Sequence, residues 1–177
     1  MTLIKNDLRK VTDDYAPEVA RQKVTTFFEG HPETAQSINE LSSTKVCVLA
    51  AMLDEKSITT SGYTIPADYV VKRASAVAHA LDKIHSFPIS HRLVETESDV
   101  GKMTKQALFF ISPDDREKLK QDPDAVFKER HENACRARES QAQKEMKRLV
   151  KEYGQDGVLE LLKNAANDEA GLDTTAS

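Results

Sequence analysis

His131-Glu132-Asn133-Ala134-Cys135 sets an imidazole and a thiol four residues apart. On a helix those positions share a face, and a histidine in place of Cys135 would complete a zinc-protease helix. Zinc needs three or four ligands, and no second ligand pair at metal spacing is visible in the chain. His79, His85 and His91 recur every six residues, a spacing that sends them to different faces of one helix and a strand. Cys47 sits inside an apolar stripe, where a thiol packs as a small core residue. No glycine-rich loop cradles phosphate, and no Ser-His-Asp or Cys-His set can be assembled. The residues argue for no catalytic site, no metal and no cofactor, and against an enzyme.

The other chemistry on offer belongs to cations. Lys72 and Arg73 open a run of small residues, Ala74, Ser75, Ala76, Ala78 and Ala80, and Lys102 and Lys105 flank a polar loop further on. An arginine fork can grip guanine through two hydrogen bonds, and a lysine suits a phosphate oxygen. Such groups act only if the fold holds them on one platform.

The elements that would do so are legible in part. Pro17 begins a helix that Gly30 stops, and Pro32 begins a second, shorter one. Ser42 or Ser43 caps a third, whose Val46, Leu49, Ala50 and Leu53 form one apolar stripe. Ile58 and Thr59 suit a short strand, and Ser61-Gly62 a turn. From Pro66 a helix is expected, with Val70, Ala74, Val77, Ala78, Leu81 and Ile84 on one face. Phe87-Pro88 ends it, because a residue before proline avoids the α region. Two β-rich runs, Ile89–Glu95 and Gln106–Ser112, then form a hairpin around a polar loop containing Gly101. Ser112-Pro113 and Asp122-Pro123 each read as a cap followed by a first helical residue. The second of these starts a helix of about 30 residues, roughly 45 Å long, that Gly154 stops. A last short helix follows before a tail that looks disordered.

Helix, strand, helix, strand, loop, strand is the order of a winged helix-turn-helix domain. "STKVCVLAAMLDEKSITT", "VKRASAVAHALDKIHSFPISHRLVE" and "GKMTKQALFFIS" together resemble the small winged-helix domains common in phages and mobile elements. The resemblance covers residues 42–112 and is one of pattern, without a signature motif. It implies a mainly α fold with a small β-hairpin, a winged helix-turn-helix core and a long C-terminal helix. It also implies duplex DNA as partner, in a role such as transcription regulation, although winged helices serve as protein-binding modules too. The residues so implicated are Tyr69, Lys72, Arg73, Ser75 and His79 on the groove-entering helix, Tyr63 and Thr64 on its approach, and Arg92, Lys102 and Lys105 on the wing. Asp68 and Asp82 depart from the pattern, since DNA would repel them.

The chain has 177 residues, 39% hydrophobic and 31% charged, with net charge −4 and two cysteines. Residues 42–112 carry eight basic and seven acidic residues, or +1, between segments of −2 and −3. Residues 128–151 carry eight basic and four acidic, a local +4. There Cys135, Ala142, Met146, Leu149 and Tyr153 repeat at intervals of 7, 4, 3 and 4, a seam for another helix. Three occupants fit it: a second copy in a homodimer, a host protein for which this chain is adaptor or inhibitor, or the chain's own N-terminal helices. The domain expectation is an N-terminal helical extension over 1–41, a winged helix over 42–112, a helical region over 113–167 and a disordered tail over 168–177. With no apolar run long enough for a bilayer and no signal-like N-terminus, a cytoplasmic protein without membrane contact is expected.

Overall fold

A computed structural model describes residues 9–60, 67–97 and 101–172. The protein is mainly helical, with a small four-stranded sheet and a long C-terminal helix. Two units are distinguished, residues 1–130 and 131–177.

The first unit is built around α4 (Ser43–Leu53), which follows α1 (Val11–Asp14), α2 (Pro17–Phe27) and α3 (Pro32–Asn39). Every residue of α4 from Val46 to Leu53 is buried. A helix apolar all round belongs at the centre of a core, so the single stripe expected from its spacing understates it. α1, α2, the later helix α5 (Ala74–His79) and a sheet strand pack against it. Val11 and Tyr15 are core residues, and Lys10 bridges to Val70. Residues of the N-terminal helices therefore join the same buried cluster as the sheet residues Ile58, Tyr69 and Ile111.

The sheet has the order β2-β1-β4-β3, with β1 (Ile58–Thr59), β2 (Tyr69–Val70), β3 (Ile89–Glu97) and β4 (Met103–Ile111). β3 and β4 are antiparallel and in register from Ile89↔Ile111 to Glu97↔Met103. Their outer half is exposed: His91, Arg92, Leu93 and Glu95 on one strand, Met103, Thr104 and Lys105 on the other. Hence the hairpin expected over 88–112 forms, and a two-residue strand on β4 extends it into a sheet.

The helix expected from Pro66 is overturned. β2 runs parallel to β1, with the Tyr69 N–H donating to the Ser57 carbonyl at 3.2 Å and the Val71 N–H to Thr59 at 3.0 Å. Its edge pairing satisfies backbone groups that local propensity would have assigned to a helix. α5 (Ala74–His79) starts only after Arg73 and passes into a π-helical turn, Ala80–Ile84. The His85 N–H reaches back five residues to the Ala80 carbonyl at 3.1 Å. The wider turn shifts the phase of the apolar face, so Ile84, expected inside, is 69% exposed.

α6 (Pro113–Gln121) is capped as its sequence indicates: Ser112 Oγ accepts from the Asp115 N–H at 3.1 Å. α7 (Pro123–Leu172) begins at Asp122, whose Oδ1 accepts from the Ala125 N–H at 2.9 Å. Gly154 (φ 74°, ψ 171°) interrupts α7, but the chain turns helical again and stays so to Leu172. The tail expected to be disordered from Asp168 is thus helical for its first five residues.

Candidate nucleic-acid interface

Val71 and Ala74 are buried, which plants the segment carrying the two cations against the core and leaves Lys72 and Arg73 exposed. Arg73 holds a left-handed backbone (φ 56°, ψ 40°), a conformation costing a non-glycine residue about 1–2 kcal/mol. The Ala74 N–H to Val71 bond at 3.2 Å and the Val71 N–H to Thr59 bond hold the turn closed around it. On α5 itself the buried positions Ala74, Ala78 and Leu81 face the core, and Ser75, Ala76 and His79 face outward. Lys83, exposed in the π-helical turn, continues that outward side.

Charge is distributed unevenly over these groups. Neither Lys72 nor Arg73 enters an ion pair among the described residues. The acids that would oppose DNA here are engaged by other groups. Asp68 accepts from the Ser57 N–H at 2.8 Å and lies 3.9 Å from Lys56 Nζ. Asp82, whose side chain is 17% exposed, is held by Lys83 at 2.8 Å and by Arg130 from the start of α7. On the hairpin Lys105 stands directly across from Glu95, so its charge is partly balanced by a cross-strand neighbour. Arg92 stands across from Leu108 and is exposed, as is Lys102 just ahead of β4.

Between α5 and the hairpin lies a cleft of about 240 Å³, lined by Ser75, His79, Asp82, Ile89, His91 and Phe109. The register pairs His91 with Phe109, and their rings sit 6.2 Å apart. A Phe87–Phe127 edge-to-face contact at 5.1 Å fixes the corner between helix and ribbon, and the Phe87 N–H donates to Leu81 at 2.9 Å.

Of the residues singled out from sequence, the structure sets Lys72, Arg73, Ser75 and His79 on one exposed stretch and Arg92, Lys102 and Lys105 on the hairpin. Tyr69 does not belong with them. It is a strand residue, 4% exposed, whose hydroxyl donates to Asp14 Oδ2 at 2.5 Å and whose ring meets Tyr15 edge-on at 5.8 Å. Burial and the Asp14 carboxylate push its pKa up to about 12. Tyr63 and Thr64 lie outside the described residues. Sequence reasoning places His91 with Arg92 at the base of the wing, where it lines the cleft beside α5, and it does not single out Lys83.

In the second unit Cys135 and Leu149 are half-buried, Ala142 is exposed, and Met146 and Tyr153 are 42% and 53% exposed. Cys135 Sγ lies 3.7 Å from His131 Nε2, and among the described residues no three His, Cys, Asp or Glu side chains gather as a metal ion requires. No described helix is long and apolar enough to cross a membrane. Compared with protein-family models, with curated proteins and with solved structures, the chain matches none.

Proposed function

We propose that this protein binds duplex DNA, with α5 directed at a groove and the β3–β4 hairpin acting as a wing on the adjacent backbone. One observation carries the reading. On a chain of net charge −4, Lys72 and Arg73 stand exposed and without an acidic partner among the described residues, at the head of the helix that leads into the hairpin. The sheet order β1-β4-β3, with α4 before β1 and α5 before β3, is the arrangement a winged helix uses. Strand β2 stands where part of the second helix of a helix-turn-helix would be, so the proposed platform is helix plus ribbon. Arg73 suits a guanine edge, and Lys72, Arg92, Lys102 and Lys105 suit phosphates. A DNA transaction such as transcription control is the role this implies.

Titration of fluorescent duplex between about 50 and 200 mM salt tests it. Four cations on phosphates give a log–log slope of about −3.6, at roughly −0.9 per contact. K72A/R73A should flatten the slope by about 0.9, through Lys72, and weaken binding to every duplex. Absence of salt-dependent association with any duplex at low salt would remove the proposal.

A second reading, an adaptor or inhibitor seated on a host protein through the long helix, is favoured by one feature. Leu159, Leu161 and Leu162 of α7 are 55%, 49% and 53% exposed. Capture of one defined protein by the full chain, lost on Leu161→Glu, is the result this reading requires.

A further inference from the structure

Asp82 stands in the π-helical turn, three residues after His79 and seven after Ser75, on the outward side of α5. With those two residues, Ile89, His91 and Phe109 it lines the cleft between helix and hairpin. Turns of this wide kind concentrate at functional sites. A bare carboxylate at that place would repel the phosphates of a duplex lying across helix and hairpin.

The carboxylate instead meets two cations. Lys83 Nζ lies 2.8 Å from Oδ2, and Arg130 Nη2 donates to Oδ1. The two are not equivalent. The Lys83 side chain is 64% exposed, where water and salt screen it, whereas those of Arg130 and Asp82 are 32% and 17% exposed. A partly buried pair is screened much less. Arg130 is also anchored: Phe127, one turn earlier on the same face of α7, meets Phe87 edge-on at 5.1 Å. The stretch of α7 up to Arg130 belongs to the first unit, as Asp82 does.

As a stabiliser the pair is poor. Arg130 Nε is buried with no hydrogen-bond partner among the described residues, which offsets part of what the ion pair contributes. Its effect on the local field is undiminished. Lys83, Asp82 and Arg130 together carry +1. Without the guanidinium, Asp82 would cancel Lys83, and this end of α5 would present no net charge.

We infer that Arg130 is a positioning residue of the DNA platform: it cancels Asp82, so that Lys83 remains as net positive charge on the outward side of α5. It acts through Asp82, not through contact with the duplex, and the inference rests on the DNA reading.

Titration of fluorescent duplex with the full-length protein tests this on the parent, Arg130→Gln, Asp82→Asn and the double variant. The three side chains then carry +1, 0, +2 and +1. At about 50 mM salt R130Q should bind at least about fivefold more weakly than the parent, since one unit charge ~4 Å from a phosphate is worth about that factor in water. The gap should narrow at about 200 mM, as the screening length shortens. D82N/R130Q should regain the parent's affinity. D82N alone should bind more tightly than the parent, a gain that no folding defect can mimic. A double variant as weak as R130Q, an R130Q that binds like the parent, or a D82N that binds no more tightly overturns the inference and leaves the DNA reading standing. A parent without salt-dependent binding to any duplex removes both.

Discussion

Replacing Phe87 by alanine should cost the first unit about 4 kcal/mol. The side chain is fully buried, meets Phe127 edge-on at 5.1 Å and Phe28 at 6.2 Å, and adjoins the buried Pro88. Truncating a buried phenylalanine loses about 3–5 kcal/mol, and the edge-to-face pair accounts for roughly 0.5–1.5 kcal/mol beyond area. A urea m-value of about 2 kcal/mol/M turns that loss into a midpoint about 2 M lower. Natural domains hold only about 5–15 kcal/mol in total, so F87A would be close to unfolding, and F87L is the informative companion at under about 1.5 kcal/mol. Hydrogen exchange of the α4 amides from Val46 to Leu53 is the assay, because that helix is buried throughout and opens only with the unit around it. A double-mutant cycle with F127L should return a coupling of about 0.5–1.5 kcal/mol. A loss under about 1.5 kcal/mol for F87A, or no coupling to Phe127, would refute the claim that this aromatic corner holds helix and ribbon together.

Tyr69 has its pKa raised to about 12 by burial and the Asp14 carboxylate, so the folded state keeps a proton that the unfolded chain releases near pH 10. Its stabilising share is whole below pH 10 and is lost as pH rises toward 12, with a slope up to about 1.4 kcal/mol per pH unit that Tyr69→Phe should remove from urea melts. Burial, then the Lys45 ammonium, hold the His85 pKa below 6.5, and Lys45 Nζ lies 3.0 Å from Nε2. Stability present above pH 6.5 should therefore fall as the pH drops below it, and His85→Gln should lessen that fall in thermal melts. Gly154 occupies φ 74° and ψ 171°, a region costing other residues about 1–3 kcal/mol. Gly154→Ala should close the break into continuous helix, read as a rise in far-UV helicity, and unchanged helicity would contradict the assigned conformation.

Sequence alone determined what neighbours along the chain decide. Pro17, Pro32, Ser112-Pro113 and Asp122-Pro123 begin helices because a fixed φ and a capping oxygen act within one turn. Gly154 breaks α7 for an equally local reason, and the β-rich runs on either side of the polar loop pair with each other as a hairpin. Tertiary structure decided the rest. Tyr69-Val70 became a strand because β1 offered it backbone partners, and that pairing moved Tyr69 from the expected interface into the core. The π-helical turn, which turned Ile84 outward, depends on an i to i+5 bond that no side-chain period announces. Asp82 is held by Arg130, 48 residues away, so only the folded chain engages the acid that would have opposed a duplex at α5. Local rules set where elements start and stop; which groups remain charged and uncovered is set by contacts between residues far apart in sequence.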